Sequence, residues 1–215
     1  AVSESIDRAT IAESIYGLAD PLYWLVPPYC NAYDESAIGQ YYQYDPDHAR
    51  ELVANSDYDG TPIRLIAVNS FAKSTELSQA MVSMLQDAGF QVDLRMIEHS
   101  ALNETRNSGD YDIFISNAAF DSDASYWIQI QVVNDRGHFE FDYQDIKDTI
   151  VEANQTIDDD TRAGMMRDAC QQCAEVYGPI QPLFTLQTTL ATRENVSGYV
   201  LNPNVSMYLF DMVVS

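Results

Sequence analysis

An apolar run, an amphipathic run and a second apolar run follow one another between residues 63 and 97. In the middle run, residues 74–89, apolar side chains recur with the period of a helix, at Leu77, Met81, Met84, Leu85 and Ala88. The flanking runs, residues 63–68 and 91–97, have the length and composition of strands. Two short strands joined by one helix are almost always parallel, with a right-handed crossover. The sequence therefore predicts a βαβ unit as the nucleus of the fold.

The two ends of the central helix carry their own signals. Ser74 or Thr75 is expected to cap the amino end with a side-chain oxygen. Gly89 can adopt the left-handed conformation that commonly ends a helix. The predicted helix thus has both boundaries marked.

Further runs extend this unit along the chain. A third strand, residues 111–116, should join the sheet in parallel, and residues 183–189 should add another strand. Residues 142–157 and 160–177 have helical periodicity, and residues 196–199 and 207–214 are expected to be extended pieces on either side of residues 202–204. We therefore predict an α/β fold in which a mixed, mainly parallel sheet has helices on both faces.

Residues 18–44 form an aromatic and proline-rich segment, which we call the arm. Pro21, Pro27 and Pro28 prevent regular helix there and favour an extended course over a surface. The aromatic side chains of the arm have two interpretations. They either anchor the arm to the body of the domain or form a platform for a ligand.

The charge of the chain restricts its partners. There are 33 acidic against 11 basic residues, and the net charge is −22. A surface this negative repels nucleic acid phosphates and anionic membranes, so no nucleic acid partner is expected. No apolar run approaches the roughly 18 to 20 residues that cross a bilayer.

The cysteines, histidines and acidic clusters of the chain do not form a known catalytic or metal-binding pattern. Cys170 and Cys173 lie three apart within a predicted helix, which favours buried core thiols over a redox pair or a zinc site. His48, His99 and His138 are scattered and belong to no hydrolase motif. The acids at residues 158–160 fit a helix start better than a calcium loop. We expect no catalytic residues, no metal and no cofactor.

Short motifs follow one another in a recognisable order. They are SIDR (residues 5–8), Pro27-Pro28, YDPDHAREL (44–52), MLQDAGFQV (84–92), YDI (111–113), PIQPL (179–183) and VSGY (196–199). Together they cover nearly the whole chain. Their order resembles the second lobe of the family 5 extracellular solute-binding proteins. These are the dipeptide-, oligopeptide- and nickel-binding proteins of bacterial and archaeal ABC importers.

The resemblance implies a fold and a function. The fold would be a periplasmic-binding-protein-like (type II) lobe, with residues 1–215 as a single lobe of a two-lobed receptor. The function would be that of the extracytoplasmic binding component of an ABC transporter, periplasmic or a cell-surface lipoprotein, and not that of an enzyme. Its partners would be a peptide or similar small solute, the permease subunits and a missing N-terminal lobe. The alternative is a structural or protein-interaction module without a small ligand.

The resemblance also points to a binding loop. Dipeptide binders of this family have a loop resembling Trp-x-x-Asp-x-x-Asp-Pro, which aligns with residues 117–124. Asn117 stands at the tryptophan position and Phe120 at the first acid, so the amine anchor is missing at its expected place. Longer peptides or another small solute remain open. The side chains expected to contact ligand follow the first and third strands, where open α/β sheets place ligands. They are Asn69, Lys73, Asn117, Phe120, Asp121, Asp123 and Trp127.

Overall fold

A computed structural model of the chain describes residues 1–136, 142–201, 207–208 and 210–214. In chain order its α-helices are α1 (Val2–Ser5), α2 (Arg8–Thr10), α3 (Pro46–Ala54), α4 (Ser74–Asp87), α5 (Leu102–Ser108), α6 (Ser125–Ile128), α7 (Gln144–Gln155) and α8 (Asp159–Glu175). The strands are β1 (Ala19–Pro21), β2 (Ile63–Val68), β3 (Val92–Ile97), β4 (Ile113–Ile115), β5 (Phe184–Leu186), β6 (Val196–Ser197), β7 (Val200–Leu201), β8 (Met207–Tyr208) and β9 (Val213–Val214). Segments of π-helix are Ile11–Tyr16 and Gln129–Val133, and turns of 3-10 helix are Glu35–Ala37 and His99–Ala101. Strands β6, β8 and β9 lie within the extended pieces predicted at residues 196–199 and 207–214. Residues 202–204 between those pieces, and His138, lie outside the described residues.

A three-stranded parallel sheet in the order β3-β2-β4 forms the centre of the α/β part. Ile63 of β2 pairs with Val92 of β3, and Leu65 pairs with Ile113 of β4. The predicted parallel arrangement of the three strands is confirmed. Strand β4 is shorter than predicted, and at its start the Arg64 backbone N–H of β2 donates to the Asp112 side chain, which also pairs with the Arg64 guanidinium.

Helices cover both faces of this sheet. Leu65 and Ala67 of β2 are buried together with Leu77, Met81 and Leu85 of α4. The alternate residues of β2 point to the other face, where they pack against residues at the start of α5. The prediction of helices on both faces is therefore confirmed.

Helix α4 begins and ends close to the predicted positions, but its amino end is formed differently. Lys73 is the N-cap, in a left-handed conformation with φ of 58°, and makes no side-chain cap. The expectation that Ser74 or Thr75 caps the helix is wrong, because the turn at Lys73 already starts the helix and buries Ser74 inside its first turn. Gly89 has φ of 103°, as the helix-end signal predicts.

Residues 183–189 do not join the parallel sheet, so that prediction is wrong. Strand β5 instead pairs antiparallel with β1, and Ala19 lies opposite Leu186. The backbone pairing continues beyond the strands: the Leu22 N–H donates to the Leu183 carbonyl at 3.0 Å, and the Gln187 N–H to the Leu18 carbonyl at 3.0 Å. The start of the arm is therefore the pairing partner of β5, in a sheet separate from the parallel one.

The larger apolar core lies away from the sheet. The arm packs there against α6, α7 and α8, and Trp24 and Tyr42 are fully buried. The indole N–H of Trp24 donates to the Ala32 carbonyl at 3.0 Å, which satisfies its polar group inside the core. These two aromatic side chains thus serve as packing groups. That residues 1–215 form a single lobe remains a prediction.

Arg8 connects this core with the amino-terminal segment and with the segment before β5. Its guanidinium is buried and donates to the carbonyls of Pro182 at 2.7 Å and Tyr42 at 3.0 Å. It also lies 5.5 Å from the centroid of the Tyr42 ring. Burial lowers the pKa of Arg8 to about 10, despite opposing contributions from nearby tyrosines. The arginine therefore links the amino-terminal segment, the arm and the segment before β5.

Candidate functional site

The topology of the sheet defines one edge at which a ligand is expected. From β2 the chain crosses through α4 to β3 on one side, and then through α5 to β4 on the other side of β2. Successive strands are therefore added on opposite sides of β2, and the switch point lies between β2 and β4. In open α/β sheets, ligands bind outside the carboxyl ends of the strands at such a switch point. The loops that begin there, residues 69–73 and 116–124, carry most of the side chains predicted from sequence.

The loop after β2 begins with Asn69, which is exposed. Its backbone N–H donates to the Ile97 carbonyl at 3.0 Å, and its side-chain amide donates to a carboxylate oxygen of Glu98 at 2.6 Å. At the other end of the loop, the ammonium group of Lys73 donates to the Ile15 carbonyl. Lys73 is thus tied to the helical turn before the arm, although its side chain is exposed.

The loop after β4 is exposed at Asn117 and then returns to the core. The rings of Phe120 and Trp127 are 4.4 Å apart at a tilt of 45°, and both pack against the core of the arm. The structure therefore brings these two predicted residues together as an aromatic pair at the rim of the core.

Asp123 supports the loop from within. One carboxylate oxygen accepts the Ser125 N–H at 2.9 Å, at the start of α6, and the other accepts Nε–H of Arg162 at 3.0 Å. Burial would raise the pKa of Asp123, but the Ser125 hydrogen bonds and the Arg162 ion pair outweigh it and hold the pKa below its usual value. Both carboxylate oxygens are therefore already engaged.

The arm holds the same loop from the opposite side. The Cys30 thiol donates to the Asp121 carbonyl at 3.1 Å, and the Asn31 N–H donates to the Ser122 carbonyl at 2.8 Å. Arg167 of α8 in turn donates to the Asn31 carbonyl at 2.9 Å. The loop after β4 is consequently fixed by its own helix, by α8 and by the arm.

An open cleft of about 420 Å³ lies where these three elements meet. Its lining residues are Tyr29, Cys30, Asn31, Ser122, Asp123, Asp159, Asp160, Arg162 and Ala163. Of the residues predicted to bind ligand, Asp123 lines this cleft. No local sequence pattern indicates that Arg162 and the arm contact the loop, because these contacts join positions far apart in the chain.

The cysteines are buried, in agreement with the interpretation of Cys170 and Cys173 as core residues. Burial raises the pKa of Cys173 to about 12, and the pKa of Cys170 lies well above its usual value. Within the described ranges no group of three histidine, cysteine or acidic side chains is arranged to hold a metal ion. Among the same residues no helix has the length and apolar character needed to cross a membrane.

A family model described as "Bacterial extracellular solute-binding proteins, family 5 Middle" matches residues 1–137. The chain belongs to this family. The resemblance seen in the sequence is thereby confirmed. Family 5 proteins are extracellular solute-binding proteins of transport systems rather than enzymes. A comparison with proteins of curated function finds no match.

Solved structures share the fold of the family 5 chain. A dipeptide-binding protein from Pseudoalteromonas sp. SM9913 in complex with Met-Leu aligns with all of it at 17% identity and a TM-score of 0.82. The oligopeptide-binding protein AppA from Bacillus subtilis, in complex with a nonapeptide, aligns with the whole chain at 16% identity and a TM-score of 0.79. NikA from Staphylococcus aureus, in complex with Ni(L-His)2, also aligns with the whole chain, at 18% identity and a TM-score of 0.74.

The same alignments cover 44%, 46% and 47% of those three proteins, respectively. The family 5 chain therefore spans less than half the length of each. The neighbours are type II periplasmic binding proteins, so the predicted fold class is confirmed.

Proposed function

We propose that this chain is one lobe of an extracytoplasmic solute-binding protein that captures a peptide or similar small solute for an ABC importer. The observation that carries the proposal is the family 5 match over residues 1–137, the part of the chain that contains the switch point between β2 and β4. The permease subunits and a second, N-terminal lobe are the corresponding protein partners. The protein would be periplasmic or a lipoprotein at the cell surface.

The ligand would lie against the carboxyl edge of the sheet. Asn69 and Lys73 after β2 and Asn117 and Phe120 after β4 would contact it, together with Asp121 and Trp127. Asp123, which was also predicted as a contact, would act chiefly by holding the loop, because both its carboxylate oxygens are engaged.

A peptide longer than two residues fits this edge better than a free dipeptide. Phe120 occupies the position where dipeptide binders resembling this sequence have an acid for the ligand's amino group. Lys73, the basic residue of the loop after β2, donates to the Ile15 carbonyl. Recognition would therefore rest on hydrogen bonds to the peptide backbone and on the aromatic pair of Phe120 and Trp127.

Calorimetry on the full-length protein that carries this chain tests the proposal. The titrants are a pool of synthetic peptides of two to nine residues and, separately, the Ni(II) complex of L-histidine. We expect saturable binding from the pool, with longer peptides binding more tightly than dipeptides. Binding of the nickel complex alone would overturn the peptide assignment. Binding of neither would favour the alternative of an interaction module.

A further inference from the structure

The side chains of Asn69 and Glu98 form a pair at the carboxyl edge of the sheet. Asn69 follows β2 and Glu98 follows the neighbouring parallel strand β3. The side-chain N–H of Asn69 donates to Oε1 of Glu98 at 2.6 Å. This is a short hydrogen bond to a charged acceptor, a type about twice as strong as one between neutral groups.

The backbone of both partners is also fixed. The Asn69 N–H donates to the Ile97 carbonyl at 3.0 Å, which extends the ladder of β2 and β3 by one residue. The carbonyl of Glu98 accepts the Ala101 N–H at 2.9 Å, at the helical turn that follows β3. The pair therefore rests on a rigid base, although both side chains are exposed.

The charge of Glu98 decides which way the Asn69 amide faces. A carboxylate only accepts hydrogen bonds, so the NH₂ group of Asn69 must face Glu98. The oxygen and nitrogen of a carboxamide point in different directions from its planar carbon, so the oxygen of Asn69 is turned away from the Glu98 oxygen that the nitrogen binds. Asn69 thus presents an acceptor at the carboxyl edge of the sheet.

We propose that Glu98 is a positioning residue that fixes the Asn69 side-chain oxygen as the acceptor for an N–H group of the ligand, either a backbone amide or the amino group of a peptide. The inference rests on the proposed function and specifies how the loop after β2 takes part in it. An acceptor suits this site because Lys73, in the same loop, is committed to the Ile15 carbonyl. Glu98 acts through Asn69 and does not itself contact the ligand.

The change Glu98→Gln isolates this role because it keeps the size of the side chain and removes its charge. A glutamine can donate to the Asn69 oxygen as well as accept from its nitrogen, so the amide loses its fixed orientation. We expect peptide affinity to fall by roughly three- to tenfold, the worth of one net hydrogen bond.

A double-mutant cycle separates positioning from direct contact. Affinities are measured on the full-length protein for Glu98→Gln, Asn69→Ala and the double variant, with the tightest peptide of the pool as the probe. We expect Glu98→Gln to cost nothing further in the Asn69→Ala background, because its effect passes through Asn69. Glu51→Gln on α3, the same chemical change at an exposed position, is the matched control and should leave affinity unchanged.

A second readout identifies the donor on the ligand. Analogues of the probe peptide, each methylated at one backbone amide nitrogen, and one analogue that lacks the terminal amino group are titrated into the wild type and into Asn69→Ala. One analogue should bind the wild type more weakly than the parent peptide does. In Asn69→Ala, that analogue and the parent peptide should bind with equal affinity.

Additive losses in the cycle, or an unchanged affinity in Glu98→Gln, would overturn the inference and leave the proposed function standing. The same holds if no analogue, methylated or lacking the amino group, shows a loss that depends on Asn69. If the wild type binds no peptide at all, the proposed function fails and this inference fails with it.

Discussion

Nε of Arg162 lies 3.0 Å from Oδ2 of Asp123, and this ion pair joins the start of α8 to the loop after β4. The side chains of Arg162 and Asp123 are 19% and 36% exposed, so water only partly screens the pair. Arg162 also donates to the Thr156 carbonyl at 3.0 Å and pairs with Asp159. One guanidinium therefore fixes the loop, the α7–α8 connection and the first turn of α8 together.

The first prediction is that Arg162→Met destabilises the fold through this loop. Removal of the guanidinium leaves Asp123 half-buried without its ionic partner, which should lower the free energy of unfolding by about 1 to 2 kcal/mol. Urea unfolding at neutral pH measures the change. Arg193→Met, at an exposed arginine, is the control and should lie within about 0.5 kcal/mol of wild type.

The pH dependence of this difference has a defined sign. The folded-state pKa of Asp123 is lower than its unfolded-state pKa of about 3.9. The stabilisation that ionised Asp123 gives to the fold is therefore present above about pH 3.9, and it is lost as the pH falls through the lower folded-state pKa. The gap between wild type and Arg162→Met should therefore shrink below about pH 4. If the difference in unfolding free energy between wild type and Arg162→Met stays constant in acid, the substitution acts through packing and not through the ion pair.

The second prediction concerns Arg8. Arg8→Met removes the donors of several buried carbonyls, including those of Pro182, Tyr42 and Ser3. Each acceptor left without a partner costs about 1 to 3 kcal/mol, so the total loss should exceed about 3 kcal/mol. Arg8→Lys should recover only part of it, because an ammonium group cannot reproduce the planar fork. Guanidinium chloride unfolding would contradict this account if Arg8→Met were as stable as wild type.

Much of the fold was predictable because its signals are local. The period of Leu77, Met81 and Leu85 defines a helix, and the apolar runs on either side define its two strands. Once these strands are parallel, their carboxyl ends share an edge. The loops of the candidate site could therefore be placed without a structure.

The remaining features depend on contacts that no local pattern encodes. Strand β5 has three residues, and it pairs with β1 rather than with the parallel sheet because the start of the arm lies beside it. Arg8 and Pro182 are 174 positions apart, and Arg162 and Asp123 are 39 apart. The role of Asp123 as a support was hidden for the same reason, because its acidic side chain looked available for a ligand.

The third prediction is that the thiols are unreactive in the folded protein. Burial, followed by the charges of Asp123 and Asp121, raises the pKa of Cys30 to about 12, and burial alone raises that of Cys173 to about 12. Since the thiolate is the reactive form, labelling by a disulfide reagent near pH 8 should be very slow. Cys30, which lines the open cleft, should react before Cys170 and Cys173.

In denaturant, all three cysteines of the chain should react at the rate of free thiols. Mass spectrometry after timed quenching gives the order of labelling. Rapid labelling of Cys170 in the folded state would contradict its buried position in the core.

The fourth prediction is that salt stabilises this protein. A net charge of −22 repels itself in the compact state, and unfolding relieves part of that repulsion. The Debye length falls from about 10 Å at 0.1 M salt to about 3 Å at 1 M, so added sodium chloride should screen the repulsion. A gain of about 2 kcal/mol would raise the melting temperature by roughly 4 to 8 °C. A melting temperature that falls across this range would show that the ion pairs outweigh the repulsion.

The last prediction uses the two tryptophans of the chain as internal probes. Trp127 packs against Phe120 in the loop after β4, whereas Trp24 is fully buried and donates to the Ala32 carbonyl. If the ligand lies against this loop as proposed, binding changes the surroundings of Trp127 and leaves those of Trp24 alone. When peptide is added to the full-length Trp127→Phe variant, the fluorescence change should therefore be smaller than in the wild type, because the contribution of the Trp127 indole is missing. Trp24→Phe, if it folds, should keep that contribution. A change that survives Trp127→Phe in full would place the ligand elsewhere and remove the aromatic pair from the proposed site.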